Sequence, residues 1–327
     1  MDDGRREDPG TRLGSWKGLV PLGVAATAAL LIGGGVDMVH RHQRAADKEH
    51  EAKPAAKAEK TEPPFVVGVT EKGASLLVRD VRTGTNVGLP IAAPQGRRFH
   101  RVAALKDGSY IVATPGARDV TFERLRLDDG RPKDLKPIPK ATVPGASTVW
   151  SDLAATPDGA RLAYVTYKGA SARVDVVTPE TGVHKVWTTK LRARVGSLSW
   201  SGTTLSFVWS PVGSARHQVR TLDTNGAGGD LKTSKAVMPL PKGSSNAVMS
   251  RDGTSLIAAI AKNSELTLQT FTLQGSPAKT LWTQKVKGDP TGLDIAHTGH
   301  GVIATAGDLY AQGVPTVPAE DLADAAW

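Results

Sequence analysis

Trp150-Ser151-Asp152-Leu153-Ala154-Ala155-Thr156-Pro157-Asp158-Gly159-Ala160-Arg161-Leu162-Ala163-Tyr164-Val165 sets two apolar alternations on either side of one turn. Leu153 and Ala155 precede the turn, and Leu162 and Tyr164 follow it. A period of two reads as a strand with one buried face. Asp-Gly between two such runs is a hairpin turn, because glycine supplies the positive φ that the primed turns require.

The same arrangement recurs along the chain. Its first glycine is Gly108, Gly159, Gly202, Gly253 or Gly299, spaced 51, 43, 51 and 46 residues apart by subtraction. A second glycine follows at Gly130, Gly182, Gly226 and Gly275, at offsets of 22, 23, 24 and 22, and closes a further hairpin. A long period with a fixed internal offset means one supersecondary unit copied several times, each copy burying its faces against its neighbours. Each unit is four short antiparallel strands, which is a propeller blade. The first unit is incomplete: Phe65 to Val69 fits a second strand and Ser75 to Val81 a third, with nothing upstream to serve as the first. At the other end, Asp321-Leu322-Ala323-Asp324-Ala325 echoes Asp152-Leu153-Ala154-Ala155. The expectation is that the tail supplies the missing inner strand and closes a six-bladed ring, removing an open sheet edge.

Thr156-Pro157-Asp158-Gly159 and Ser250-Arg251-Asp252-Gly253 resemble the Ser-Pro-Asp-Gly turn of the six-bladed, WD40-like propellers of the TolB type, over about residues 64–318. The Gly-His and Trp-Asp dipeptides of true WD40 repeats are absent. Together with the N-terminal apolar run, the chain resembles the single-pass, membrane-tethered propellers of actinobacteria, a likeness that implies an extracytoplasmic propeller and no particular ligand.

The 327 residues divide accordingly into a cytoplasmic tail (1–17), a transmembrane helix (18–39), a solvated linker (40–63) and the propeller (64–327). Gly18 to Val36 is nineteen residues without a charge except at its flanks, just long enough for a bilayer's hydrocarbon core. Trp16 and Lys17 before it, and His40, Arg41 and Arg44 after it, suit the two interfaces. A cleaved signal peptide is the alternative, but no small-x-small site follows directly. Flanking cations nearly tie in number, so the short tail and the resemblance place the N-terminus inside and the propeller outside. The linker is rich in Ala, Lys, Glu and Pro, and fully extended reaches roughly 80 Å at about 3.3 Å per residue. With no cysteine in the chain, a lipoprotein anchor and disulfides are both excluded.

Charge belongs to the propeller: 31 Lys and Arg stand against 22 Asp and Glu from residue 64 on, while the first 63 residues carry ten of each. Connections from strand four to the next strand one, and from strand two to strand three, lie on one face of a propeller. That face is expected to carry Arg97, Arg98, Arg101, Lys140, Lys190, Arg192, Arg194, Lys242, Lys285 and Lys287, opposed by Asp289, Glu320 and Asp321. The opposite, mixed face collects Asp107, Asp128, Asp129, Asp158, Glu180, Asp223 and Asp252, along with Lys106 and Arg251. Solvated loops explain scattered cations equally well; the sharper reading is a basic rim that attracts an anionic envelope polymer or an acidic protein. Nucleic acid is disfavoured, since aromatics are 5 % of the chain and do not interleave with the basic loops.

No catalytic, metal or cofactor set emerges. Gly145-Ala146-Ser147, Gly169-Ala170-Ser171 and Gly243-Ser244-Ser245 lack the last glycine of a nucleophile elbow. His297 and His300 read as a solvated hairpin pair. Asp152 and Asp294 fall on inner strands, but two aspartates do not make a catalytic set. The tryptophans at strand ends, Trp150, Trp187, Trp200, Trp209 and Trp282, read as packing between blades. The resulting expectation is a non-enzymatic binding or scaffolding module, with a lyase or lactonase at the channel mouth as the alternative.

Overall fold

In a computed structural model, residues 64–327 apart from 215, 297 and 300 are described, and they form an all-β, six-bladed propeller. The tail, apolar run and linker assigned to residues 1–63, and the His297 and His300 pair, lie outside the described residues. Among the described residues no helix is long and apolar enough to cross a membrane.

Blade 1 is built from both ends of the ring, in the order Leu322–Ala326, Phe65–Thr70, Ser75–Asp80, Ile91–Ala92. The closing strand runs antiparallel to Phe65–Thr70, with Val67 opposite Ala326 and Gly68 opposite Ala325. Blades 2 and 3 begin with inner strands Arg101–Ala104 and Leu153–Ala155, blade 4 with Ala193–Ser201, blade 5 with Ser244–Met249 and blade 6 with Gly292–Ile295. The expected hairpin alternation is what is observed in blade 3, where Leu153 pairs Tyr164 and Ala155 pairs Leu162 across the Gly159 turn. Alternate residues of the second strands are buried against the neighbouring blade, so the core is a set of apolar wedges between sheets. One wedge joins Val174, Trp187, Trp200, Phe207 and Trp209 between blades 3 and 4.

Two glycines show why the repeat demands them. Gly130 has φ +75°, and a Cβ there would run into the Phe65 ring of blade 1, so both backbone conformation and space exclude a side chain. A Cβ on Gly68 would lie 2.6 Å from Leu322 Cδ1, so a side chain there would displace the Leu322 side chain of the closing strand.

Blade 4 departs from the repeat. Gly226 does not take the positive φ of the other second glycines and makes no tight hairpin. The chain instead leaves the blade, and Gly229–Asp230 pairs in parallel with Trp187 and Thr188 on the outer edge of blade 3. Burial of Leu231, 0 % exposed, and donation by Lys185 Nζ to the Thr224 and Asn225 carbonyls at 2.9 and 2.8 Å hold this strap. It covers a sheet edge that would otherwise offer unpaired backbone groups.

Candidate functional site

The inner strands surround a central channel of about 800 Å³ that opens on the face of the strand-four-to-one connections. Inner strands diverge from one another, so their facing N–H groups cannot all pair by sheet hydrogen bonds and need side-chain acceptors. Asp324 of blade 1 accepts from Val102 N of blade 2 at 2.8 Å, and Asp152 of blade 3 from Leu198 N of blade 4 at 2.8 Å. Ser199 of blade 4 accepts from Met249 N of blade 5 at 2.8 Å, and Asp294 of blade 6 from the backbone of Trp327 in blade 1. The channel wall therefore mixes apolar and polar groups, and its carboxylates act as clamps between blades. Among the described residues no three His, Asp or Glu side chains come together to hold a metal ion.

The tail echo is offset from its sequence alignment. Asp324 takes the channel position, while Asp321 sits at the ring's edge and pairs with Arg79 at 2.8 Å. Arg79 is 6 % exposed and also donates to the Pro318 carbonyl, so it fastens the returning chain from outside the channel.

Burial pushes the Asp324 carboxyl up to about 7, against the pull of Arg101, and the Asp294 carboxyl up to about 6, against that of Arg251. His100 moves the other way, to about 3, through burial and then the charges of Arg101 and Arg98. An acid whose folded value is raised favours the fold when protonated, and that favour fades as pH rises through the folded value. A histidine whose folded value is lowered favours the fold above its unfolded value of about 6.5 and loses that favour as pH falls. Between about pH 8 and 6.5 the favour from Asp324, with a little from Asp294, is about twice the loss from His100, so the protein should gain about 0.5 kcal/mol of stability on acidification, a rise of about 1–2 °C in Tm. Thermal melts across that window test this; an Asp324→Asn protein that keeps the full dependence would assign it elsewhere.

Arg101 is the centre of the mouth. Its Nε donates to the Ser151 carbonyl at 2.7 Å and its guanidinium to the Val149 carbonyl at 3.0 Å, with Asp324 Oδ1 3.5 Å away. Beside it, Tyr164 Oη lies 2.7 Å from Ser147 Oγ and 3.1 Å from His100 Nδ1. The Tyr167 hydroxyl donates to the Val195 carbonyl and accepts from Val195 N, both at 3.1 Å. Burial raises both tyrosines to about 12, so they remain neutral. These bonds fix the connections of blades 1 to 2, 2 to 3 and 3 to 4 against one another.

The ten expected rim cations separate into three groups. Arg98, Lys190, Arg192, Arg194, Lys242 and Lys285 are exposed on the channel-mouth face and make no ion pair among the described residues. Arg97 is bound to Asp119 at 3.0 Å, Lys287 to Asp308 at 3.0 Å and Glu320 at 3.3 Å, and Arg101 is inside the channel. Lys140 does not lie in a connection: its strand continues to Pro144, and its Nζ donates to the Glu180 carbonyl in a hairpin of the mixed face.

Trp150 differs from the other strand-end tryptophans. Trp187, Trp200, Trp209 and Trp282 are buried between blades, whereas Trp150 is half-buried at the mouth with the Arg194 guanidinium stacked 3.9 Å from its ring centre. The Val149-Trp150 pair, apolar yet outside any alternating strand, was the sequence signal for this.

The sequence matches no protein-family model and no curated protein. Among solved structures it is similar to TolB from Acinetobacter baumannii, at 17 % identity and a TM-score of 0.43 over 64 % of this chain, and it spans 50 % of the length of that protein. A chain of a nidogen/laminin complex gives 10 % identity and a TM-score of 0.51, covering 80 % of this chain and 97 % of that one. Oligogalacturonate lyase in complex with manganese gives 13 % identity and a TM-score of 0.47, covering 79 % and 75 %. Likeness at these identities shows the propeller fold, on which binding proteins and enzymes are both built.

Proposed function

We propose that this chain is a membrane-anchored, extracytoplasmic propeller that binds an anionic partner, protein or envelope polymer, at the mouth of its central channel. The observation that carries the reading is the set of exposed cations that make no ion pair among the described residues, Arg98, Lys190, Arg192, Arg194, Lys242 and Lys285, on one face of the ring. Positive groups gathered on one face, with Arg98 and Arg194 lining the channel opening, raise the local concentration of an anion and its rate of arrival. Phe65 enters the ring next to Gly130 on the mixed face, which leaves the channel mouth on the side away from the point of entry. The lyase or lactonase alternative has less support, because Asp152 and Asp324 are engaged by backbone N–H groups.

Full-length protein in detergent should bind labelled polyglutamate or a polyglycerol phosphate, and replacing Arg98, Lys190, Arg192 and Arg194 by Ser should weaken this by about tenfold or more. Unchanged affinity would overturn the reading. The absence of cysteine makes topology directly measurable: a Gln95→Cys protein should react with a membrane-impermeant maleimide on intact cells, and labelling only after lysis would remove the extracytoplasmic assignment.

A further inference from the structure

We propose that the partner is an acidic protein segment carrying apolar side chains, and that it docks on the sector of the channel-mouth face formed by blades 3 and 4. This rests on the reading above and narrows it to a partner class and a place. The four loops of this sector, residues 145–151, 168–171, 189–192 and 211–214 with 216–217, contain Lys168, Lys190, Arg192 and Arg216 and no Asp or Glu. Loops elsewhere on the face carry Glu71, Asp119, Asp289 and Asp308, two of which neutralise Arg97 and Lys287. The cationic field is therefore a sector, and a negatively charged segment is directed to it.

Charge alone does not describe this surface. Val149, Val212 and Leu191 are 74, 54 and 51 % exposed, and all three stand in these loops. Trp150 under Arg194 connects them: Val149 adjoins Trp150, and Val212 N donates to the Arg192 carbonyl at 3.0 Å, next to Leu191. Apolar side chains set among cations match a partner that offers both, and a bare polyanion would leave them in water. The platform is built before any ligand arrives, since Arg101 holds the Val149 and Ser151 carbonyls and Tyr167 holds Val195. Preorganisation of this kind lowers the ordering cost of binding.

The test is selection of random peptides of about a dozen residues on the full-length protein, followed by affinity measurement. Enriched peptides are expected to combine Asp or Glu with Leu, Ile, Phe or Trp, and to bind about tenfold or more tightly than polyglutamate of equal length. Val149→Ser with Leu191→Ser and Val212→Ser should remove that advantage and spare polyglutamate binding. Lys190→Ser with Arg192→Ser and Arg194→Ser should weaken both, with both variants retaining the parent's melting temperature. Peptides that keep full affinity for both variants, or polyglutamate or polyphosphate binding as tightly as the selected peptides, would overturn the inference while the anionic-partner reading stands. Failure of peptide, polyglutamate and polyphosphate alike would remove both.

Discussion

Deletion of residues 320–327 is expected to abolish the cooperative thermal unfolding of the propeller. The deleted segment contains the inner strand of blade 1, Leu322–Ala326, and Trp327, which is 1 % exposed. Loss of a buried tryptophan alone costs about 3–5 kcal/mol. Against a typical domain stability of about 5–15 kcal/mol that is already a large share. The deletion goes further, because it bares Val66, Val67 and Val69, each 0 % exposed, along an unpaired strand edge. It also removes Asp321 from Arg79 and Asp324 from Arg101. Circular dichroism melts and sedimentation would show a broad, low transition and association through the open edge. A truncated chain melting within about 3 °C of the parent would show that the ring does not depend on this closure for its stability.

Replacing Arg101 by Met should be the most damaging single change at the mouth. Breaking a buried ion pair by removing one partner costs about 3–5 kcal/mol, which for a domain of this size lowers Tm by about 10 °C or more. Here the loss is compounded, since the carbonyls of Val149 and Ser151 give up their donors as well. The consequence depends on pH in a definite sense. Asp324 titrates at about 7 in the fold, so an Asp324 deprived of its cation takes up a proton readily under mildly acidic conditions. The damage should therefore be greater at about pH 8 than at about pH 6, and Asp324→Asn in the Arg101→Met background should recover part of the stability at the higher pH. Equal destabilisation at both values, with no recovery in the double variant, would mean that Arg101 acts through its carbonyl contacts and not through the carboxylate.

Much of the ring was legible because its signals are local. An Asp-Gly turn between alternating runs needs only adjacent residues to be read, and Gly108, Gly159, Gly202, Gly253 and Gly299 all take positive φ. The incomplete first blade and the tail echo together anticipated the closing strand. The exact partner of each tail aspartate was not legible: Asp321 pairs with Arg79 and Asp324 faces Arg101 and Val102 in the channel, and register across a closure is fixed by contacts distant in sequence, such as those at Gly68 and Arg79. Gly226 illustrates the same limit, since its hairpin yields to the burial of Leu231 against another blade.

By itself the sequence determined the repeat, the expectation of a closed ring, the face of most connections, with Lys140 misplaced, and the positive balance of the propeller. These follow from period, turn chemistry and composition, which are properties of neighbouring residues. Only the tertiary structure decided which cations are free. Arg97 meets Asp119 and Lys287 meets Asp308 because a blade's strands bring residues some twenty positions apart together, whereas the loop cations of blades 3 and 4 make no ion pair among the described residues. The tertiary structure likewise gave the inner aspartates their role, because only the splay of six inner strands around a channel leaves backbone N–H groups that a carboxylate must accept.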